Sequence, residues 1–224
     1  MSEILTFGNE ILSLNGEALS HIGEVPIPEF TIRCKFSSGY IPTMGDTQTL
    51  IDPNENIWDI TKNSTDMSIL FRNNTDLIEV LGGNTTGITS MLALFSGCTA
   101  LSSVALFDTS SCTDMDYMFA SCTSLTTVPL FDTRLCTIMR YMFSGCYSLA
   151  TVPLFDTSSC TNMIGMFSSC YAVESGALAL YQQASTQTTV PAHTNTFSGC
   201  GLYTESGRAE RAQIPTSWGG DLAE

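Results

Sequence analysis

Basic residues are what this chain has least of. Eight Lys and Arg stand against 22 Asp and Glu, a net charge of -14, and between Asn73 and Gly207 only Arg134 and Arg140 are basic. A field of that sign repels phosphate backbones and anionic lipid headgroups, which excludes nucleic acid as a partner. No run approaches the roughly 20 apolar residues that cross a bilayer, so membrane insertion is not expected. The opening "MSEILTFGNE" carries an early glutamate and neither a basic nor a sustained apolar region, so it is not expected to act as a secretory leader. Histidine is confined to His21 and His193, neither in a nucleophile or metal motif. G-x-S-x-G, a Gly-rich phosphate loop and a paired-carboxylate constellation are all missing. The expectation is a non-enzymatic chain with no catalytic residues, no cofactor and no metal.

What the chain has is a repeat. "FDTSSCTDMDYMF" from Phe107 returns as "FDTRLCTIMRYMF" from Phe131 and "FDTSSCTNMIGMF" from Phe155. Met67, Met91, Met115, Met139 and Met163 keep a period of 24, and Phe71, Phe95, Phe119, Phe143 and Phe167 follow each by four. A period in this range marks stacked units that cannot bury their apolar faces alone. Within one unit, Met115, Met118 and Phe119 fall at i, i+3 and i+4, which predicts a short helix with Thr113 as N-cap. Leu125, Val128 and Leu130 read as L-x-x-V-x-L, which predicts a short strand with one buried side. The fold class expected is α/β, a right-handed solenoid of about five coils with caps at both ends.

The L-x-x-V-x-L segments resemble the strand of a leucine-rich repeat. The fuller pattern F-D-T-S-x-x-T-x-M-x-x-M-F-x-x-C-x-x-L resembles the repeat of bacterial BspA-type surface proteins, over about residues 59 to 173. That resemblance implies a leucine-rich-repeat solenoid with an adhesive or host-interacting role. Family members at cell surfaces carry an export signal and an anchor, and neither is recognisable here.

Four regions are expected: an N-terminal attachment arm over 1–29, with a hairpin around Asn15 and Gly16; an N-terminal cap over 30–66; the solenoid over 67–173; and a C-terminal cap over 174–224. In the first cap Phe30, Ile32, Cys34 and Phe36 alternate as a half-buried strand would. In the last, "ALALYQQAS" reads as a helix, "NTFSGCGL" repeats "FSGC" after a six-residue insertion, and Trp218 covers the final coil.

Two cysteine columns, Cys98/Cys122/Cys146/Cys170/Cys200 and Cys112/Cys136/Cys160, invite a metal or disulfide ladder. Cys112 and Cys122 would lie roughly 15 Å apart along the predicted helix, and no C-x-x-C or Cys/His spacing points to zinc. They are read as small apolar core residues with reduced thiols. Asp108, Asp132 and Asp156 supply too few oxygens for calcium and are assigned to backbone N–H groups in a turn. The residues left for binding are Asp116, Tyr117, Arg140 and Tyr141 on the helix side and Thr127 and Thr151 among the small uncharged columns of the strand side. The function expected is a recognition or structural module, a phage virion surface or tail component that meets host protein or glycan. Its arm would dock to a larger assembly, in multiple copies. The alternative is a bacterial cell-surface or intracellular interaction scaffold of the same repeat family.

Overall fold

The computed structural model describes residues 30–223 together with two short strands, β1 (Thr6–Phe7) and β2 (Glu10–Ile11), which pair antiparallel. The arm's remaining residues, Asn15 and Gly16 among them, lie outside the described residues. The first described layer is a sheet in the order β4-β5-β3-β6-β7: β3 (Phe30–Phe36), β4 (Thr47–Asp52), β5 (Ile57–Lys62), β6 (Leu77–Asn84) and β7 (Ser103–Val104). Along β3, Phe30, Ile32, Cys34 and Phe36 are buried, because alternate side chains of a strand share one face. β3 lies antiparallel between β5 and β6, and the β6–β7 pairing is parallel. The sheet therefore turns from antiparallel cap to parallel stack at the first repeat.

From there the units stack in the 24-residue register. Parallel bridges run from Asp66 to Ser90, Asp114, Ile138, Asn162 and Ala192 in succession. The predicted helix does not form: no α-helix occurs in residues 67–173. Residues 115–122 are instead a ribbon of consecutive turns. Met118, Ala120 and Cys122 donate their N–H groups to the carbonyls of Met115, Tyr117 and Phe119, three residues back. Met115, Tyr117, Phe119 and Ser121, the residues between, donate to the carbonyls of Ile138, Arg140, Met142 and Ser144 in the next unit. Tyr117 and Ser121 have positive φ, as the third residue of a type II turn requires, and a left-handed residue ends any α-helix. The i, i+3, i+4 spacing is the same in a turn ribbon as in a helix, and that is why the period misled. Thr113 is no N-cap; its hydroxyl donates to the Thr89 carbonyl at 3.2 Å.

The same alternation recurs at every junction from residue 67 to residue 198, each closed by four inter-unit N–H bonds. The "NTFSGC" segment adds a sixth ribbon: Met163, Gly165, Phe167 and Ser169 donate to Ala192, Thr194, Thr196 and Ser198. The expected strand also shrinks. After β6 in the first unit only the two residues Ser103–Val104 form a strand, Leu125 is buried, and Leu130 is 61% exposed while Phe131 turns inward in its place.

The core runs the length of the stack. Phe71, Phe95, Phe119, Phe143, Phe167 and Phe197 lie ring on ring, neighbouring centroids 5.1 to 6.2 Å apart. The column of Met67, Met91, Met115, Met139 and Met163 beside it is fully buried. Trp218 closes the far end against Phe197 and His193. Two helices complete that cap. α1 (Ala177–Ser185) receives the Glu210 carboxylate at the N–H groups of Gly176 and Leu178, and Thr204 caps α2 (Glu205–Arg211) at the Gly207 N–H. Anions at a helix N-terminus satisfy orphan donors.

Candidate functional site

The repeated side chains divide into those that hold the stack and those that face out. All nine cysteines are free and buried. Cys98, Cys122, Cys146 and Cys170 each direct the thiol at a carbonyl one unit back, those of Phe71, Phe95, Phe119 and Phe143, at 3.0 to 3.1 Å. Their place in the first unit is taken by Asn74, whose amide donates to the Tyr40 hydroxyl of the cap instead. Burial pushes the Cys98 and Cys146 thiols up to about 12 and those of Cys112 and Cys160 to about 11. Such thiols are inert. Among the described residues no group of three or more His, Cys, Asp or Glu could hold a metal ion.

Asp108, Asp132 and Asp156 accept the N–H of the residue two positions on, Ser110, Arg134 and Ser158. Side-chain hydrogen bonds from those same residues are the main cause that lowers all three carboxyls. The threonine after each aspartate is buried, and Thr85, Thr109 and Thr133 donate to the Asp108, Asp132 and Asp156 carbonyls of the next unit. "FDT" is thus a self-stapling corner.

The outward ribbon positions carry the candidate surface. Tyr117 and Tyr141 stack at 5.0 Å with an interplanar angle of 22°. Tyr141 then lies over Gly165, where φ is +63° and any side chain would run into its ring. In this column Tyr117 is 38% exposed, and Tyr141, stacked on it, is partly exposed. Below it Asp116 is 3% exposed and accepts from Arg140 Nε at 3.1 Å through Oδ2, while Oδ1 has no hydrogen-bond partner. Burial raises the Asp116 carboxyl; the Arg140 hydrogen bond and charge oppose that only in part. Four of the six expected residues, Asp116, Tyr117, Arg140 and Tyr141, are therefore one cluster. Thr127 and Thr151 are exposed on another segment of the unit, the one that follows Leu125 and Leu149.

A second column was not anticipated from the sequence. Tyr147, Tyr171 and Tyr203 stack at 5.4 and 4.7 Å, and Tyr147 and Tyr203 are 50% and 71% exposed. The signal was present for Tyr147 and Tyr171, which are 24 apart. Tyr203 joins them only because the chain after the sixth ribbon folds back, its N–H bonded to the Tyr171 carbonyl. In chain order the positions between the two tyrosine columns are Ser121, Gly145, Ser169 and Gly199, all with positive φ. Of these Ser121 is exposed, Ser169 and Gly199 are partly exposed, the latter against the Tyr171 ring, and Gly145 is buried beside Ser121.

A family model described as "Mycoplasma protein of unknown function, DUF285" matches residues 45–128 and 65–181. The chain belongs to that family. The matched residues take in the first five ribbons and strands β4 to β7. Nothing among the curated proteins matches the sequence. Among solved structures, a leucine-rich repeat protein of T. pallidum (TpLRR) is similar at 15% identity and a TM-score of 0.39, over 75% of this chain and 92% of that one. No helix among the described residues is long and apolar enough to cross a membrane.

Proposed function

We propose that this family member is a non-enzymatic recognition module, a leucine-rich-repeat-type solenoid of about five coils that presents tyrosines in fixed register to a protein surface. The observation that carries the reading is the pair of stacked, solvent-facing tyrosine columns with Ser and Gly between them. Tyrosine supplies large amphipathic contact area at little entropic cost, and Ser and Gly around it adapt, as in antibody paratopes.

The carrier in this reading is a bacteriophage virion, with the chain as a surface or tail component in multiple copies, docked through residues 1–29. Nine unbridged thiols support folding in a reducing compartment, as a particle assembled in the cytoplasm and freed by lysis would have. The family description, which names Mycoplasma, favours the second reading, a bacterial interaction scaffold at the cell surface or inside the cell.

Labelled imaging of purified particles separates the two, since a chain found on none of them is not a virion component. For recognition, the purified chain is applied to a glycan array and to an array of bacterial envelope proteins. The Tyr117→Ala/Tyr141→Ala and Tyr147→Ala/Tyr171→Ala variants are run beside it. Selective protein binding lost in both variants is expected. Binding equal to wild type in both rejects the tyrosine face, and glycan binding alone replaces the partner class.

A further inference from the structure

A different strip of the molecule has the features of a docking surface and goes beyond the tyrosine face. After Val104 and Val152, which are buried, and Val128, which is partly buried against the core, burial alternates along the chain. Leu106, Leu130 and Leu154 are 63%, 61% and 54% exposed, while Phe107, Phe131 and Phe155, the next residues, are buried. The residues after those, Asp108, Asp132 and Asp156, are partly exposed and lie two positions beyond the leucines in each unit. Consecutive units therefore build a ridge of three leucines with a parallel row of three carboxylates two residues away. The ridge has defined ends: Gly82 occupies the equivalent position one unit earlier, and Leu178, one unit later, sits in α1 packed against the core.

Large apolar side chains aligned on the surface of a soluble chain mark contact sites when they are contiguous. The spacing and the charge say what fits. Phe107 and Phe131, directly beneath the ridge, have centroids 5.1 Å apart, so successive leucines advance by about one helical pitch of 5.4 Å. A helix laid along the stack would set apolar residues at i, i+3 or i+4, and i+7 against the three leucines, the usual way an amphipathic helix is read. The flanking carboxylates call for cations on the edge of that helix. Only Asp132 has an ion-pair partner, Arg134, whose side chain is 70% exposed and stays on the surface. A second copy of this chain would add its own net charge of -14, which repels.

We propose that the Leu106/Leu130/Leu154 ridge, with Asp108, Asp132 and Asp156 beside it, docks an amphipathic helix of a partner protein whose apolar stripe is edged by Lys and Arg. In this assignment Arg134 is a competitor, an internal cation already seated where a partner's would go.

The test uses the purified full chain and a synthetic Leu/Lys peptide of about 18 residues, five helical turns, patterned to give one apolar stripe. A scramble of the same composition without the stripe controls for plain charge attraction. Fluorescence anisotropy at physiological salt is expected to show the patterned peptide bound about tenfold or more tighter than the scramble. Leu106→Ser/Leu130→Ser/Leu154→Ser, which leaves net charge unchanged, should weaken it by about tenfold. Asp132→Asn, whose side-chain oxygen still accepts in the turn, should weaken it several-fold, and Arg134→Ala should tighten it. Tyr117→Ala/Tyr141→Ala should have no effect, so the ridge and the tyrosine face succeed or fail separately. Equal binding of patterned and scrambled peptide, or full affinity in the serine variant, overturns the proposal. So does loss of binding in the tyrosine variant alone.

Discussion

Asp116 and Arg140 form an ion pair between adjoining units of the stack. Their column reads Ser68, Leu92, Asp116, Arg140, Ile164, so the pair stands where adjoining units place apolar side chains, and Asp116 is buried with one oxygen unpaired. Removing one partner of a buried pair strands a charge, whereas replacing both with apolar groups is often neutral or favourable. The Arg140 side chain is itself 43% exposed, so Arg140→Leu should cost about 1 to 3 kcal/mol in urea unfolding, and Asp116→Leu/Arg140→Leu less. Because burial raises the Asp116 carboxyl, the cost of Arg140→Leu should shrink as pH falls and the stranded group takes up a proton. The thiols give the opposite end of the pH scale. Folded Cys98 and Cys146 titrate near 12 against an ordinary 9.0, so above pH 9 the unfolded chain loses protons that the folded chain keeps. Stability is full below about pH 9 and falls as pH rises from there toward 12. Urea midpoints at pH 8 and pH 10.5 check this, and an unchanged midpoint would mean that the thiols are not sealed.

The turn ribbon is the element that sequence periodicity misassigned, and the reason is physical. Apolar residues at i, i+3 and i+4 report which side chains share a face, and a chain of turns that sends alternate N–H groups to the next unit shares faces in the same rhythm. The distinguishing signal is backbone handedness, visible in the column Asn73, Gly97, Ser121, Gly145, Ser169, Gly199, every member of which has positive φ. Gly and Asn tolerate that region; Ser accepts it at a cost of about 1 kcal/mol or more. Ser121→Gly and Ser169→Gly should each raise stability by up to about 1 kcal/mol, measured as a higher urea midpoint at unchanged slope. In a continuous helix the same change would lower it by a similar amount, so the sign of the effect separates the two structures. The candidate site divides along the same line. Tyr117, Tyr141, Asp116 and Arg140 were legible from the repeat, while Tyr203 was not, because it reaches the Tyr147/Tyr171 column only by a fold-back of non-repeating chain.

For the molecule as a whole, each unit bonds chiefly to its two neighbours, so stability is close to a sum of units and interfaces, and the ends decide where it opens. The amides of Phe95, Phe119 and Phe143 donate across internal junctions and should exchange slowest by hydrogen exchange, with protection declining toward both caps. Trp218→Ala removes the ring that closes the phenylalanine column against Phe197. It should cost about 3 to 5 kcal/mol and speed exchange first at Phe167 and Ser169, which donate to the sixth ribbon. Uniform acceleration along the chain would show all-or-none unfolding instead.

By itself the sequence determined the period, the register of the methionine, phenylalanine, cysteine and leucine columns, the acidic field and the identity of most outward residues, because a 24-residue repeat writes the same interior into every unit. Tertiary structure alone decided how each unit spends its backbone hydrogen bonds. An N–H that could close a helical turn within its own unit is bonded to the next unit, and a leucine that could have been core is outside because Phe131 took the interior position. Those choices depend on what the neighbouring unit offers, and no single stretch of sequence contains its neighbour.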